Sequence, residues 1–344
     1  MDTQQLSTTR RLVCFTCYCG NLGIYLFIVD LNRIRKEEGY KSMTPALQID
    51  RQVFDASAVC VLKSTLYLFS KDSKVATLDL SKHLSFSDDN NSDNIRLTEG
   101  MLDRNLALPF PKRSPVATPT PDGKKILLFS LQIEFDASDD RRPCNPIDFE
   151  LYDPDTKHWR PIPRIYYYWP MRFKKNVNPF KITAFSFHNK STFFIDTDIA
   201  GMFELDLDTF VWRAHENPAG PWPYNFCGSG VCLTSNGGGI AFTVIELPGL
   251  CLSLGPYATF DIDESRGLTN CCIYLSEDLV DGYAGDGAND GYDDRFASGI
   301  PFRDDDDGEW KLCLVRTTLN VTTGNHLMAL HVCRFDFDGY RKKK

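Results

Sequence analysis

Short apolar stretches separated by turn residues recur along the chain. Residues 182–216 show this most clearly, with the runs ITAFSFHN, STFFIDT, GMFELDL and VWRAHE separated by NK, DIAG and DT. Residues 115–165 contain three more runs, KKILLFSLQ, DFELYDP and HWRPIPRI, and a weaker one at PVATPTPDGK. Runs of this length that are rich in aromatic and β-branched residues predict strands, and no stretch has helical periodicity over more than about two turns. The pattern therefore predicts an all-β chain.

An apolar stretch that ends in aspartate recurs along the chain. These aspartates are Asp30, Asp79, Asp153, Asp206, Asp261 and Asp336. The intervals are 49, 74, 53, 55 and 75 residues, and each long interval contains a polar stretch that we interpret as an insertion. Two copies share the fuller pattern Asp-x-Asp-Thr-x-x-Trp, at 153–159 and 206–212. We predict that the aspartate caps the following turn and that the tryptophan is buried between neighbouring sheets.

Without the two insertions, the repeat has a period of about 50 residues. Four-stranded units with this period predict the blades of a β-propeller, because one thin sheet cannot bury both of its faces alone. We predict a single propeller of about six four-stranded blades over residues 10–338. Five or seven blades, and a pair of β-sandwiches, are the alternatives. Pairing between the terminal strands is expected to help close the ring. Residues 1–9 are predicted to be disordered, and residues 339–344 form a basic tail.

The order of apolar strand, Asp, turn and Trp resembles kelch repeats. Over about residues 11–338 the layout is similar to plant kelch-like proteins, including a family expanded in grasses whose role is undefined. Two features depart from that pattern: most repeats lack the paired glycines, and Trp follows Asp by six residues in only two of six copies. The resemblance implies a propeller that binds another macromolecule. In related plant proteins such a propeller is often joined to an F-box, a helical module, in receptors of ubiquitin ligases. About ten residues precede the first predicted strand of this chain, which is too few for an F-box. We therefore expect association with a ligase to need a separate partner.

Composition and charge narrow the classes of partner. The net charge of −8 and the acidic isoelectric point argue against nucleic acid as a main partner. The apolar runs are far shorter than the roughly 20 residues that span a bilayer, and the polar N-terminus does not fit a signal peptide. We therefore predict a monomer in the cytoplasm, the nucleus or both, with a protein partner, no nucleic acid, no membrane association and reduced cysteines.

Three cysteines cluster near the N-terminus, at Cys14, Cys17 and Cys19. If residues 10–18 form the first strand of a hairpin, Cys14 and Cys17 point to opposite faces of the sheet. Two such thiolates cannot bind one metal ion, since Zn–S bonds are about 2.3 Å long. We predict that these cysteines are small apolar fillers and that the chain uses no metal and no cofactor.

Residues 277–309 carry twelve Asp or Glu residues and two Arg residues. A calcium loop that begins at Asp286 would place Ala288 and Ala297 at two ligand positions, which excludes an EF-hand. Glycine content and repulsion between like charges predict a solvated, mobile acidic insertion. A loop that binds basic partners is the functional alternative.

Aromatic and basic residues concentrate in two connections between repeats, at 164–180 and 215–226. Turns alternate between the ends of an antiparallel sheet, so both connections, and the loop 134–146, are predicted to emerge on one face. Exposed Tyr and Trp beside Arg and Lys are typical of interaction hot spots. The candidate partner-binding residues are Tyr166, Tyr167, Tyr168, Trp169, Arg172, Lys174, Trp222 and Tyr224. The alternative is that two of the four consecutive aromatic residues pack between blades and the others cover the rim.

Sequence support for catalysis is weak, and we predict no catalytic residues. The six histidines have no ligand spacing, and the chain contains neither a serine nucleophile elbow nor a phosphate-binding glycine loop. The favoured hypothesis is a protein-interaction module. An enzyme or small-ligand binder that uses the central channel is the alternative, and a diverged family member without a retained interaction is the third hypothesis.

Overall fold

The structure of the chain is a computed structural model. The residues that it describes are 12–18, 23–30, 45–83, 95–96, 98–133, 148–165, 180–188, 190–197, 201–215, 225–235, 238–246, 257–263, 267–274, 292–303, 310–320 and 326–334. The chain forms two compact units, which comprise Met1–Ser130 with Pro146–Pro161 and Leu131–Asn145 with Ile162–Lys344.

In the residues of the first unit that the structure describes, the strands form three sheets of four strands each. Sheet I consists of β1 (Leu12–Tyr18), β2 (Gly23–Asp30), β3 (Leu47–Asp50) and β7 (Ile95–Arg96), and sheet II of β4 (Ala56–Leu62), β5 (Thr65–Ser70), β6 (Lys74–Asp79) and β8 (Asp103–Ala107). Sheet III consists of β9 (Pro115–Pro119), β10 (Ile126–Ser130), β12 (Phe149–Asp153) and β13 (His158–Ile162). Helix α1 (Leu80–His83) and a 3-10 helix (Glu99–Met101) follow β6 and β7.

The second unit contains the remaining strands. The strand β11 (Gln132–Ile133) pairs with sheet IV, which consists of β14 (Phe180–Phe187), β15 (Thr192–Thr197), β16 (Gly201–Asp206) and β17 (Val211–His215). Sheet V consists of β18 (Asn225–Ser235), β19 (Gly238–Glu246), β20 (Tyr257–Asp263) and β21 (Gly267–Tyr274), and a parallel β14–β18 pair joins it to sheet IV. Sheet VI consists of β22 (Tyr292–Arg303), β23 (Trp310–Asn320) and β24 (His326–Arg334).

The predicted fold class is confirmed, because the described chain is all-β and is built from small, mostly antiparallel sheets of the kind that form propeller blades. The strands predicted in residues 115–165 and 182–216 correspond to those of sheets III and IV. Among the described residues, sheet VI has three strands instead of four, and β7 pairs in parallel with β3. The described chain has no helix with the length and apolar character needed to cross a bilayer.

The core of the first unit shows why these thin sheets stack. In β5, Leu66 and Leu68 pack with residues of sheet I, whereas Tyr67 and Phe69 pack with residues of sheet III. All four side chains are buried because neighbouring sheets cover both faces of the strand. Burial of a large apolar side chain stabilises the fold by about 1.5–3 kcal/mol. Sheet II therefore depends on both of its neighbours, as predicted for blade-like sheets.

The predicted aspartate turns are present after the third strands of sheets II, III and IV. The Asp153 carboxylate accepts hydrogen bonds from the amides of Asp155 and Thr156, at 3.0 and 3.3 Å. The Asp206 carboxylate accepts the equivalent bonds from Asp208 and Thr209, at 2.8 and 3.1 Å. The turns at Asp153 and Asp206 each lead into a strand that carries a buried tryptophan. The prediction that the aspartate caps the turn is confirmed at these positions.

The remaining repeat aspartates follow the pattern less closely. Asp30 ends the second strand of sheet I instead of the third, since β3 is added after a long connection. Asp261 lies inside β20 and is not its last residue. Asp336 lies outside the described residues. The predicted equivalence therefore holds for the middle of the chain and weakens towards both ends.

The predicted acidic loop 277–309 needs a correction. Residues 292–303 of this range form β22, which pairs with β23 from Tyr292 to Arg303. Phe296, Ile300 and Phe302 occupy alternate positions in β22 and provide the two-residue period of a strand. The high content of acidic residues in 277–309 made this short apolar alternation hard to recognise in the sequence.

The N-terminal cysteine segment forms the predicted hairpin. Cys14 and Cys17 lie in one continuous strand, opposite Ile28 and Tyr25 of β2. This is the regular strand on which the argument against a shared metal ion rests. Elsewhere, Cys60 is a free, buried cysteine in the core, where burial raises the pKa of its thiol. Such a cysteine behaves as a small apolar side chain.

Candidate functional site

The eight predicted partner-binding residues lie outside the described residues. They are Tyr166, Tyr167, Tyr168, Trp169, Arg172, Lys174, Trp222 and Tyr224. The structure does describe the residues at which their segments, 166–179 and 216–224, join the fold. The candidate site is therefore built from these attachment points.

Three connections attach at the same end of sheet IV. Ile133, after which the segment 134–147 begins, pairs with Phe180, where the segment 166–179 ends. Thr197 pairs with Gly201, and Met202 pairs with His215, after which the segment 216–224 begins. We call this end of the sheet, defined by Ile133, Phe180, Thr197, Gly201 and His215, the anchor edge.

A histidine–carboxylate pair lies at the anchor edge. The His215 Nε2 atom is 2.7 Å from the Glu204 Oε2 atom, and their side chains are 15% and 17% exposed. The register explains this contact, because Glu204 pairs with Arg213, two residues before His215 on the same face of the sheet. Arg213 is much more exposed, and its guanidinium lies 3.8 Å from the Glu204 Oε1 atom.

The surroundings of Glu204 favour its ionised form. The hydrogen bond from His215 lowers the pKa of Glu204, and the positive charges of His215, Arg213 and His188 act in the same direction. Partial burial opposes them and is the smaller effect. The ring of Phe194 packs near both imidazoles, with centroids 6.1 Å from His188 and 5.5 Å from His215. This pair thus fixes the last residue of β17, directly before segment 216–224.

A second contact fixes the chain just before the aromatic run. The Trp212 Nε1 atom donates a hydrogen bond of 2.8 Å to the Pro163 carbonyl oxygen, three residues before Tyr166. Ile162, Ile165 and Trp212 are buried, each at most 2% exposed. The entry to segment 166–179 is therefore held by packing and by a hydrogen bond to the following sheet.

The first unit contains a buried ion pair that sequence inspection did not find. Lys112 and Glu150 have fully buried side chains, and the Lys112 Nζ atom lies 2.6 Å from the Glu150 Oε2 atom. Lys112 also donates to the Phe110 carbonyl oxygen at 3.3 Å. Among the described residues, the Glu150 Oε1 atom has no hydrogen-bond partner. Burial lowers the pKa of Lys112 and raises that of Glu150, while their mutual attraction opposes both changes.

The two charged pairs differ in how readily the sequence could have revealed them. Glu204 and His215 belong to neighbouring strands joined by the aspartate turn, so counting back from Asp206 and Val211 gives their register. Lys112 and Glu150 are 38 residues apart and belong to no shared sequence pattern. Neither pair extends to a metal centre, since the described residues contain no group of three His, Cys, Asp or Glu side chains suited to a metal ion.

No protein-family model and no curated protein matches the sequence. Similar solved structures include a GH43 endo-arabinanase from Bacillus licheniformis, 10% identical with a TM-score of 0.35 over 82% of this chain and 94% of that chain. Sqt1 from Saccharomyces cerevisiae is 10% identical with a TM-score of 0.39 over 95% of this chain and 69% of that chain. The WD40 domain of SCAP from fission yeast is 9% identical with a TM-score of 0.30 over 96% of this chain and 68% of that chain. Likenesses this distant carry no argument about activity, ligand or partner.

Proposed function

We propose that this chain is a protein-interaction module that binds a macromolecular partner through the segments attached near the anchor edge. The observation that carries the proposal is the pairing of Ile133 with Phe180 and of Met202 with His215, which brings the ends of three connections to one end of sheet IV. Two of these connections contain the aromatic and basic candidates. Tyr, Trp and Arg are the residue types most enriched in binding hot spots.

The chemistry of the segments indicates the kind of partner. Arg172 and Lys174 supply positive charge beside four aromatic side chains, whereas the whole chain is acidic with a net charge of −8. A protein surface that presents carboxylates around an apolar patch would complement this combination.

We propose that the module is a single closed propeller of kelch type over residues 10–338, acting as a monomer in the cytoplasm, the nucleus or both. A ubiquitin-ligase complex is one setting for such a module.

The test is affinity capture from the native tissue with the wild-type chain and a Tyr167→Ala/Trp169→Ala variant. We expect the variant to lose specific partners, since each hot-spot truncation costs about 2 kcal/mol or more of binding energy. The matched control is Lys190→Ala/Val211→Ala, which changes two exposed residues at the opposite end of the same sheet. Capture of the same proteins by both variants, with thermal unfolding unchanged, would exclude this surface.

The alternative function, an enzyme or small-ligand binder that uses a central channel, stays a prediction. Glu204 and His215 form the most reactive arrangement in the described part of sheet IV, because a carboxylate that holds an imidazole is a common proton-transfer unit. The described residues contain no third His, Cys, Asp or Glu side chain that would complete a metal-binding group with them. The observations therefore favour partner binding.

A further inference from the structure

Two buried polar atoms of sheet III have no hydrogen-bond partner among the described residues. They are the Glu150 Oε1 atom, which is an acceptor, and the Trp159 Nε1 atom, which is a donor. The Glu150 side chain is fully buried, and Trp159 is only 9% exposed. A buried polar group without a partner bears the full cost of desolvation, so folded proteins satisfy nearly all such groups with protein atoms or ordered water.

The two side chains lie on one face of sheet III. In the pairing of β10 with β12, Leu128 lies opposite Glu150 and Ile126 lies opposite Tyr152. Side chains two residues apart in a strand share a face, so Glu150 and Tyr152 point to the same side of the sheet. Leu128, Ile126, Tyr152 and Trp159 all pack in the core that sheets II and III share. Glu150 and Trp159 therefore face the same apolar core.

The repeat indicates that Glu150 and Trp159 are diagonal neighbours across β12 and β13. In sheet IV, the strands that flank the equivalent turn pair Leu205 with Trp212. The same register in sheet III places Trp159 opposite Tyr152, and their ring centroids are 4.5 Å apart. Diagonal neighbours in an antiparallel pair lie about 7–8 Å apart, which is within reach of a long aromatic side chain.

Lys112 engages only one oxygen of the Glu150 carboxylate. The Lys112 Nζ atom lies 2.6 Å from the Glu150 Oε2 atom and donates to the Phe110 carbonyl oxygen at 3.3 Å. A proton on Oε1 would not satisfy this atom, because it would present a donor to an apolar core and would remove the attraction to Lys112. A water molecule can donate to the unpaired acceptor and accept from the unpaired donor at the same time.

We propose that the core between sheets II and III contains a binding site for one internal water molecule, which donates a hydrogen bond to Glu150 Oε1 and accepts one from Trp159 Nε1. This water completes the hydrogen bonding of the carboxylate, so that the Glu150 charge is retained in an apolar core beside Lys112. It exchanges slowly with bulk solvent, because its release leaves two buried polar groups unpaired.

The experiment is magnetic relaxation dispersion of the water oxygen on the full chain, which counts internal water molecules that stay bound for longer than the protein takes to tumble. The double variant Lys112→Met/Glu150→Leu removes the carboxylate together with its counter-charge and should lower the count by about one molecule per chain. Arg51→Ala, which removes an exposed ion pair, is the control and should leave the count unchanged. An unchanged count in the double variant, or an equal loss in Arg51→Ala, would overturn the proposal.

A crystal structure of the wild-type chain tests the site without a variant that has to fold. We expect density for a water oxygen within about 2.6–3.2 Å of both Glu150 Oε1 and Trp159 Nε1. No density at this position, or density beside only one of the two atoms, would contradict the bridge. Infrared spectra at neutral pH exclude the competing explanation, since the carbonyl band of a protonated Glu150, if present in the wild type and lost in Glu150→Gln, would also refute the site.

Discussion

Sheets III and IV share a sequence pattern and differ in how they hold the chain that enters them. Both contain the aspartate turn and the buried tryptophan. Before sheet III, the Pro109–Pro111 stretch is followed by Lys112, which reaches into the core to Glu150. Before sheet IV, the Pro163 carbonyl oxygen of the Pro161–Pro163 stretch accepts a hydrogen bond from the Trp212 Nε1 atom. The same local motif is thus anchored by a buried ion pair in one sheet and by a neutral hydrogen bond in the other.

Sheets III and IV are therefore expected to respond differently to single substitutions at these contacts. An ion pair that is fully buried stabilises the fold only while both partners are present, because either charge alone is strongly disfavoured in the core. A neutral hydrogen bond is lost at a smaller cost. Truncation of Lys112 should therefore lower the free energy of unfolding more than loss of the hydrogen bond from Trp212.

The largest expected effect is that of Lys112→Ala. This change leaves Glu150 buried without its counter-charge and should lower the free energy of unfolding by about 3–5 kcal/mol. The double variant Lys112→Met/Glu150→Leu should recover most of that loss, since an apolar pair of similar volume replaces the ion pair. Urea unfolding measures both.

The control for this prediction is Arg51→Ala, which removes an exposed ion pair with Asp55 whose side chains are 49% and 45% exposed. An exposed pair of this kind contributes less than about 1 kcal/mol. A Lys112→Ala variant no less stable than Arg51→Ala would mean that the buried pair does not anchor sheet III.

An intermediate effect is expected in the aspartate turns of sheets III and IV, at the residue four positions after the aspartate. Lys157 and Phe210 occupy equivalent positions, with φ angles of 54° and 57°, in the left-handed region that favours glycine. Lys157 is exposed, so Lys157→Gly should stabilise the fold by about 0.5–1 kcal/mol through relief of backbone strain. Phe210 is only 7% exposed, and Phe210→Gly should instead cost about 2–4 kcal/mol through lost packing.

Thermal unfolding of the two glycine variants checks this opposition directly. A shift of the melting temperature in the same direction for both variants would show that side-chain burial does not decide the sign of the effect. The comparison isolates side-chain burial, because the backbone conformation is common to both positions.

A further effect, which depends on pH, is expected for the partly exposed pair of sheet IV. At neutral pH, Glu204→Gln should cost about 1 kcal/mol, since it replaces the hydrogen bond from His215 to a charged acceptor with a weaker bond to a neutral one. The pKa of Glu204 in the fold is lowered from 4.5, chiefly by the hydrogen bond from His215. Its stabilising contribution is therefore complete above about pH 4.5 and is lost as the pH falls through the lowered folded value.

Urea unfolding of the wild type and Glu204→Gln between pH 7 and pH 3 measures this contribution. The difference in stability between the two chains should shrink as the pH drops below about 4.5. Glu99→Gln is the control, because Glu99 is 73% exposed in its pair with Arg104. A difference that stays constant over this pH range would contradict the assigned role of the Glu204 charge.

Much of the fold could be predicted because its rules are local. The alternation of apolar residues, the turn chemistry of Asp153 and Asp206 and the spacing of short strands all act within about ten residues of the chain. The prediction failed at residues 292–303, where an acidic average concealed an apolar alternation. The eight partner-binding candidates lie outside the described residues, so their surface stays a prediction.

Local sequence patterns were sufficient to predict an all-β chain, the strands of sheets III and IV and the aspartates that close their turns, because strand periodicity and turn capping depend on near neighbours. Three contacts could be seen only in the folded chain: the ion pair of Lys112 with Glu150, the hydrogen bond from Trp212 to Pro163 and the packing on both faces of β5. Those contacts join residues far apart in the chain, and they depend on how whole sheets pack, which no local pattern encodes.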